Sequence, residues 1–356
     1  MTRRIPSLRH ALVIVVAAAA LTGVLAGLAR LGMRAGWGGS RAAEHGPLLG
    51  LGVFGTVVSI ERAAALGARW AFAAPVGFAL AGAAMLAGWS HAPWIAAASS
   101  AGMLAANARA VGRRAMLVTW LLLAGSALLL AGNVQWAAGE PVFRAMPAWI
   151  GFFVLTITAE RQRHSRHVVP PPWASLLLTA AVAALVIAVA VCIAGVRSGI
   201  QALAASMMAL AIWQLRYDVS SQTIRQAGYP RFMAIGARAG MVWLLAAGSL
   251  LMLRNLPPAG PVYDAAVHAV LVGYVLSTAF AHALDVLPAV AGVRIPFTPF
   301  LYAPLALLHA SLLGRVLGDL TDVVALRRAG ALGNALAIGL FAAVAITARL
   351  RRSRHE

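Results

Sequence analysis

The sequence predicts an all-α polytopic membrane protein of about twelve transmembrane helices, and three observations carry that prediction. Hydrophobic residues fill 61% of the 356 positions and charged residues only 11%, with a mean hydropathy of +0.83, a balance foreign to soluble domains. The apolar residues gather in stretches of roughly 20, the helical length that crosses a hydrocarbon core of about 30 Å. The 29 basic residues are all arginines, and they fall mostly in short connections between apolar runs, where they act as topology determinants. A net charge of +19 would suggest nucleic acid in a soluble domain. No basic patch interleaved with aromatics exists here, so the expected partners are membrane lipids and not nucleic acid.

The spans read, in order, 11–32, 46–66, 70–88, 93–110, 113–132, 146–160, 173–195, 198–216, 231–253, 264–284, 298–317 and 329–349. The first follows "MTRR" and is read as an uncleaved helix, because it is longer than a signal-peptide core and completes an even number of spans. The sixth is short, and Pro147 near its start sacrifices no hydrogen bond if it lies in the first turn. All connections are short, so residues 1–356 read as a single integral membrane domain. The lone Cys192 excludes an intrachain disulfide and any cysteine-based metal cluster. With both termini cytoplasmic, arginines lie inside rather than outside at roughly two to one, with Arg3, Arg4, Arg9, Arg166 and Arg354 among the inner ones and Arg254 among the outer.

The second, sixth and tenth spans suggest an internal repeat of four helices. They run from His45 to Glu61-Arg62, from Met146 to Glu160-Arg161, and from His268 to Asp285. The second and sixth end in the same Glu-Arg pair; the second and tenth begin with a histidine.

Titratable rings at membrane depth are costly unless they bind or pair. His45 opens the second span, His268 lies one turn into the tenth, and His309 is expected in the outer half of the eleventh. His282 follows His268 by fourteen residues, about 21 Å along a helix, so the two cannot share one iron. His45 and His268 begin equivalent helices, an arrangement suited to two axial ligands on a haem. Contact with headgroups or water is the competing reading for each histidine taken alone. Gly46, Gly50, Gly52 and Gly55 give the second span a small-residue face, fit for a close neighbour helix or a flat macrocycle. Glu61-Arg62 and Glu160-Arg161 read as snorkelling anchors with no partner evident at depth. Asp264, Asp319 and Asp322 are available to orient an imidazole N–H or to remain solvated in loops. His164 and His167 sit in a basic connection and are expected to meet anionic lipid.

The segments "EHGPLLGLGVFGTVVSIERAAALG", "FFVLTITAERQRHSR" and "DAAVHAVLVGYVLSTAFAHALDVLPAVAGVRIPFTPFLYAPLALLHASLLGRVLGDL" resemble the NnrS family of bacterial membrane proteins, over about a third of the chain. The resemblance implies a multi-pass protein of the bacterial inner membrane with the helix arrangement of haem-copper oxidase subunit I. It also implies a b-type haem, copper, a respiratory electron donor as partner, and a role in the nitric oxide response. The family's histidines carry over onto His45, His268, His282 and His309. The chain departs from the family where only one histidine precedes Gly46-Pro47, and it lacks the closely spaced histidine pairs of the oxidases. A haem held by His45 and His268 is therefore expected, and a full binuclear centre is not. The alternatives from other classes are a membrane transporter and an accessory protein for assembly of a respiratory enzyme.

The arginine bias generates the first prediction. A cytoplasm-active reporter fused after Glu356 should be active in cells, and a reporter that works only outside the membrane should be silent there; the opposite pattern overturns the orientation.

Overall fold

A chain surrounded by hydrocarbon has to pair its own peptide groups, and long apolar runs do so as helices. The computed structural model describes residues 5–34, 36–165, 167–253 and 260–352. Arg3, Arg4, Arg166, Arg254 and Arg354, which enter the arginine count, lie outside the described residues. The helical rods are α1 (Ile5–Arg30), α2 (Gly36–Leu66), α3 (Arg69–Ala87), α4 (Ala92–Arg113), α5 (Leu117–Ala137) and α6 (Val142–His164), then α7 (Pro172–Ile193), α8 (Ser198–Tyr217), α9 (Tyr229–Leu253), α10 (Pro261–Ala291), α11 (Pro299–Leu320) and α12 (Val324–Arg352). The protein is an all-α polytopic membrane protein, with 11 of these rods long and apolar enough to cross a bilayer among the described residues. The rod outside that set is α4, whose Ser99, Ser100, Asn107, Arg109 and Arg113 lower its hydropathy. Two of those polar groups serve its packing on α5: Asn107 donates to the Leu122 carbonyl at 3.2 Å and Ser100 Oγ accepts from Asn133 at 2.7 Å.

The largest boundary differences are at α2, which begins at Gly36 and not near residue 46, and at α10, which runs on to Ala291; a smaller shift at α6 changes the place of a proline. That helix begins at Val142, so Pro147 stands inside it and not in its first turn. Proline there forgoes one backbone hydrogen bond, which membrane helices accommodate when neighbours cover the gap.

Among the described residues, two rods contain a π-helical segment. In α2 the short turn His45–Pro47 leads into an eight-residue π-helical segment, Leu48–Gly55, before regular helix resumes at Thr56. In α10 the helix Pro261–His268 leads into a second eight-residue π segment, Ala269–Leu276. Both widened segments thus follow a histidine. The kinship of the second and tenth spans is visible in the backbone, whereas α6 is regular α-helix throughout.

The chain forms two compact units. The first comprises Met1–Phe152 with Asp285–Val293, the second Phe153–Leu284 with Arg294–Glu356. In the first, the glycine face of α2 is closed by protein. A Cβ on Gly52 would lie 3.4 Å from both the Gly82 Cα of α3 and the Ala19 Cβ of α1, and one on Gly55 would lie 3.1 Å from the Phe78 ring. Trp149 donates to Asn133 at 2.9 Å, tying the start of α6 to α5. In the second unit Phe232, Phe280, Leu301, Leu305 and Leu308 form the main apolar core, with Phe280 stacked on Phe341 at 4.1 Å. Asn334 holds α12 to α11 by donating to the Leu308 carbonyl at 3.1 Å and to Ser311 Oγ at 2.7 Å.

The Gly52–Gly82 approach is close enough that a branched side chain has no room. Gly52→Val is expected to lower stability by about 1–3 kcal/mol through overpacking, while Gly46→Ala, where a Cβ meets nothing within 4 Å, should be near neutral. Thermal unfolding of the two purified variants in one detergent measures the difference.

Candidate functional site

The histidines fall into two kinds, distinguished by which ring nitrogen the protein engages. A carbonyl only accepts, so a ring nitrogen bonded to one must carry the proton. His45 Nδ1 donates to the Gly23 carbonyl of α1 at 2.7 Å, and His268 Nδ1 donates to the Asp264 carbonyl one turn earlier at 2.8 Å. With its proton on Nδ1, a neutral ring would carry the lone pair on Nε2, the form in which imidazole ligates a metal. The His45 ring lies flat enough on α1 that a Cβ at Gly27 would fall 2.7 Å from Nδ1, so Gly27 makes the seat. For His268, the Asp264 carboxylate adds a second hold on the same nitrogen, with Oδ1 3.3 Å from Nδ1. That carboxylate is itself fixed by Arg315, which donates from Nε at 3.1 Å and from Nη2 at 2.8 Å. Asp264 is therefore not a loop carboxylate; half-buried, it stands in the first turn of α10 and orients an imidazole. Asp319 is buried and ion-paired with Arg327 at 2.5 Å, and Asp322 takes the other side of the same guanidinium at 3.2 Å.

His309 does not sit at the level of His268. It stands midway along α11 and contacts Ser277, nine residues further along α10. Trp243 Nε1 donates to its Nδ1 at 3.0 Å. Ser277 spends its own proton on the Gly236 carbonyl at 2.7 Å, so His309 Nε2 donates to Ser277 Oγ at 3.2 Å. Both ring nitrogens are committed to a helix-to-helix brace. Gly273, within the π segment of α10, gives the Trp243 ring the space to reach it.

His282 belongs to a buried cluster in which a sequence reading of anchors at helix ends is corrected. Arg161 is only 2% exposed and Asp218 fully buried. The guanidinium grips the carboxylate in a two-pronged ion pair, Nε to Oδ2 at 2.9 Å and Nη2 to Oδ1, and its third arm, Nη1, donates to His282 Nε2 at 3.0 Å. His282 Nδ1 donates to the Thr278 carbonyl at 2.9 Å, which completes a neutral ring. His164, expected at the lipid surface, instead meets the His282 ring edge-on at 5.2 Å between centroids. Ser165 donates to Asp218 Oδ2 at 3.1 Å, and the Tyr274 hydroxyl lies beside Gln214 and Thr158. Thr158, Arg161 and Ser165 share one face of the end of α6, as Tyr274, Thr278 and His282 do on α10.

Asp218 was not evident in the sequence reading, although two signals were present. Carboxylates number only 10 against 29 arginines, so each one in a membrane chain is a candidate partner for a buried guanidinium. The text "YDVSS" also encodes a helix stop: Asp218 ends α8 in extended backbone and its Oδ1 accepts from the Ser220 N–H at 2.8 Å. Burial would raise the pKa of the Asp218 carboxyl, but the Arg161 charge and the hydrogen bonds from Arg161 and Ser220 prevail and hold it below the usual carboxylate range.

Chemically, the cluster is a charge-balanced set with a neutral imidazole attached. No group of three or more His, Cys, Asp or Glu side chains is gathered as for a metal ion among the described residues. Removing one partner strands a buried charge, which typically costs about 3–5 kcal/mol. Arg161→Met is expected to lose that much stability, and Arg161→Met/Asp218→Asn much less than the sum of the two single variants. Because the folded carboxyl pKa is depressed, the pair's contribution is present above the ordinary carboxylate range and fades as pH falls through the lowered value. Unfolding of the single and double variants in detergent across that acidic range tests both statements.

No curated protein and no solved structure matches the chain. A family model does match it over residues 9–350, nearly its whole length. The chain therefore belongs to the family described as Domain of unknown function (DUF8744).

Proposed function

We propose that this protein is an NnrS-like haem-binding membrane protein of the bacterial inner membrane, with both termini cytoplasmic, acting in the nitric oxide response or in respiratory electron transfer. The observation that carries the reading is the matched environment of two histidines. His45 and His268 each precede an eight-residue π segment, and each has its Nδ1 proton held by a backbone carbonyl. Wide helical segments of this kind are uncommon and recur at functional sites. Each of these imidazoles, within its own unit, has the donor chemistry of an axial ligand.

Bound haem would supply a one-electron redox couple and a binding position for a diatomic gas if one ligand yields. The rest belongs to the chain. Gly23 and Gly27 fix the tautomer and the tilt of His45. Asp264, held by Arg315, fixes the orientation of His268. The reading does not extend to copper, because the protein engages both ring nitrogens of His282 and of His309. An electron donor from a respiratory chain is the partner this reading requires.

The test is the visible spectrum of protein purified from cells supplied with haem precursor. A Soret band with the sharp reduced bands of a six-coordinate haem is expected. His45→Ala and His268→Ala should each convert it to a high-spin form or abolish it, and Gly27→Val should mimic His45→Ala by displacing the ring. A featureless spectrum, or wild-type spectra from both alanine variants, overturns the proposal. Interest would then shift to ion-coupled transport, with Arg161, Asp218 and His282 as the intramembrane ionisable set.

A further inference from the structure

A cavity of about 500 Å³ opens at the C-terminal end of α12, in the second unit, and the haem reading makes no use of it. One wall is the segment leading into α11, with Pro296, Thr298 and Phe300. The other is a single face of α12, where Ala343, Val344, Thr347, Ala348 and Arg351 recur at helical spacing. The lining is apolar except for two hydroxyls and one guanidinium. Phe300 is two-thirds exposed, so the cavity opens sideways toward what surrounds the bundle.

Its charge identifies its occupant. Arg351 stands where α12 leaves its apolar stretch, with Arg349 one turn or less away and Arg294 at the start of the opposing wall. No aspartate or glutamate occurs in residues 294–318 or 323–351, so neither lining segment supplies a counter-charge for these arginines. An apolar slot with a cation at its mouth and no carboxylate on either lining segment, beside a long apolar helix, matches an amphiphile with an anionic head. Basic pockets between membrane helices bind such headgroups. A zwitterionic choline lipid also carries a phosphate, but it would set a fixed cation among Arg351, Arg349 and Arg294, so a head of net negative charge is the better match.

We propose that this cavity is a specific site for an anionic diacyl phospholipid, with an acyl chain lying between Pro296–Phe300 and α12 and the phosphate paired with Arg351. The Thr298 and Thr347 hydroxyls are placed to donate to the headgroup or glycerol oxygens. The site is independent of the histidines and stands whether or not the protein carries haem.

The experiment uses the full chain purified in a mild neutral detergent. Dioleoylphosphatidylglycerol or dioleoylphosphatidylcholine is added at matched mole ratios, and bound lipid is counted by native mass spectrometry alongside the melting temperature. The wild type should retain the glycerol lipid at least fivefold more than the choline lipid and should melt higher in its presence. Arg351→Gln should erase that preference. Ala343→Trp, at an exposed position that the side chain of tryptophan would fill, should displace both lipids while leaving the lipid-free melting temperature unchanged. Arg349→Gln, off the cavity wall, should keep the preference. Equal retention of the two lipids by the wild type overturns the site. So does a loss in Arg349→Gln as large as in Arg351→Gln, which would mean diffuse surface attraction, and so does unchanged retention in Ala343→Trp.

Discussion

In a hydrocarbon surround, a backbone or side-chain polar group without a partner costs several kcal/mol, and that single requirement shapes this protein. It makes every long apolar run a helix. It also explains how α2 and α10 can widen without breaking: a π segment exchanges one ring size of hydrogen bond for a larger one and leaves the peptide groups paired. The widening shifts the angular position of everything beyond it, so side chains on the two sides of Leu48–Gly55, or of Ala269–Leu276, no longer follow a single α-helical stripe. His45 and His268 stand at the near ends of these shifts. Residues such as Ser277 and His282 lie on the far side, in register with a different set of neighbours.

The same requirement governs the buried side chains, and it sorts them by what they have left to offer. Trp243, His309, Ser277 and the Gly236 carbonyl form a closed chain of donors and acceptors; Asn334 with Ser311, and Asn133 with Ser100 and Trp149, also join helices by hydrogen bonds. These are braces between helices. Arg161 is the most demanding of the buried groups, and it is met on three sides, by both oxygens of Asp218 and by His282. Its consequence for the imidazole is geometric: the guanidinium N–H takes up the Nε2 lone pair of His282. Two histidines on one helix, His268 and His282, thus have unlike roles because one ring faces a carboxylate and the other a cation.

How much of this was legible beforehand differs from residue to residue. The twelve rods follow from hydropathy with shifts of a few residues at most ends, since helix length is fixed by bilayer thickness. Even α4 was found as a stretch, although its serines and asparagine, which exist for packing on α5, dilute its hydropathy. The small face of α2 was visible as a glycine pattern; that α3 and α1 close Gly52 and Gly55 was not, because a gap in a helix surface is silent about its filler. Arg161 was read as an anchor from its place at a span's end. It is buried instead, since the partner that makes burial tolerable, Asp218, is 57 residues away in sequence.

The sequence by itself determined the class, the helices and the identity of the few residues that cannot lie idle in a membrane, because apolar length and the scarcity of charge are local, one-dimensional properties. Only the tertiary structure decided which of those residues meet. It set His45 against Gly23 and Gly27, gave His268 its carboxylate, closed His309 into a brace and assembled Arg161, Asp218 and His282 from three helices. Such pairings depend on the rotation of each rod about its own axis, and a residue or two of π-helical register, which hydropathy does not encode, is enough to change them.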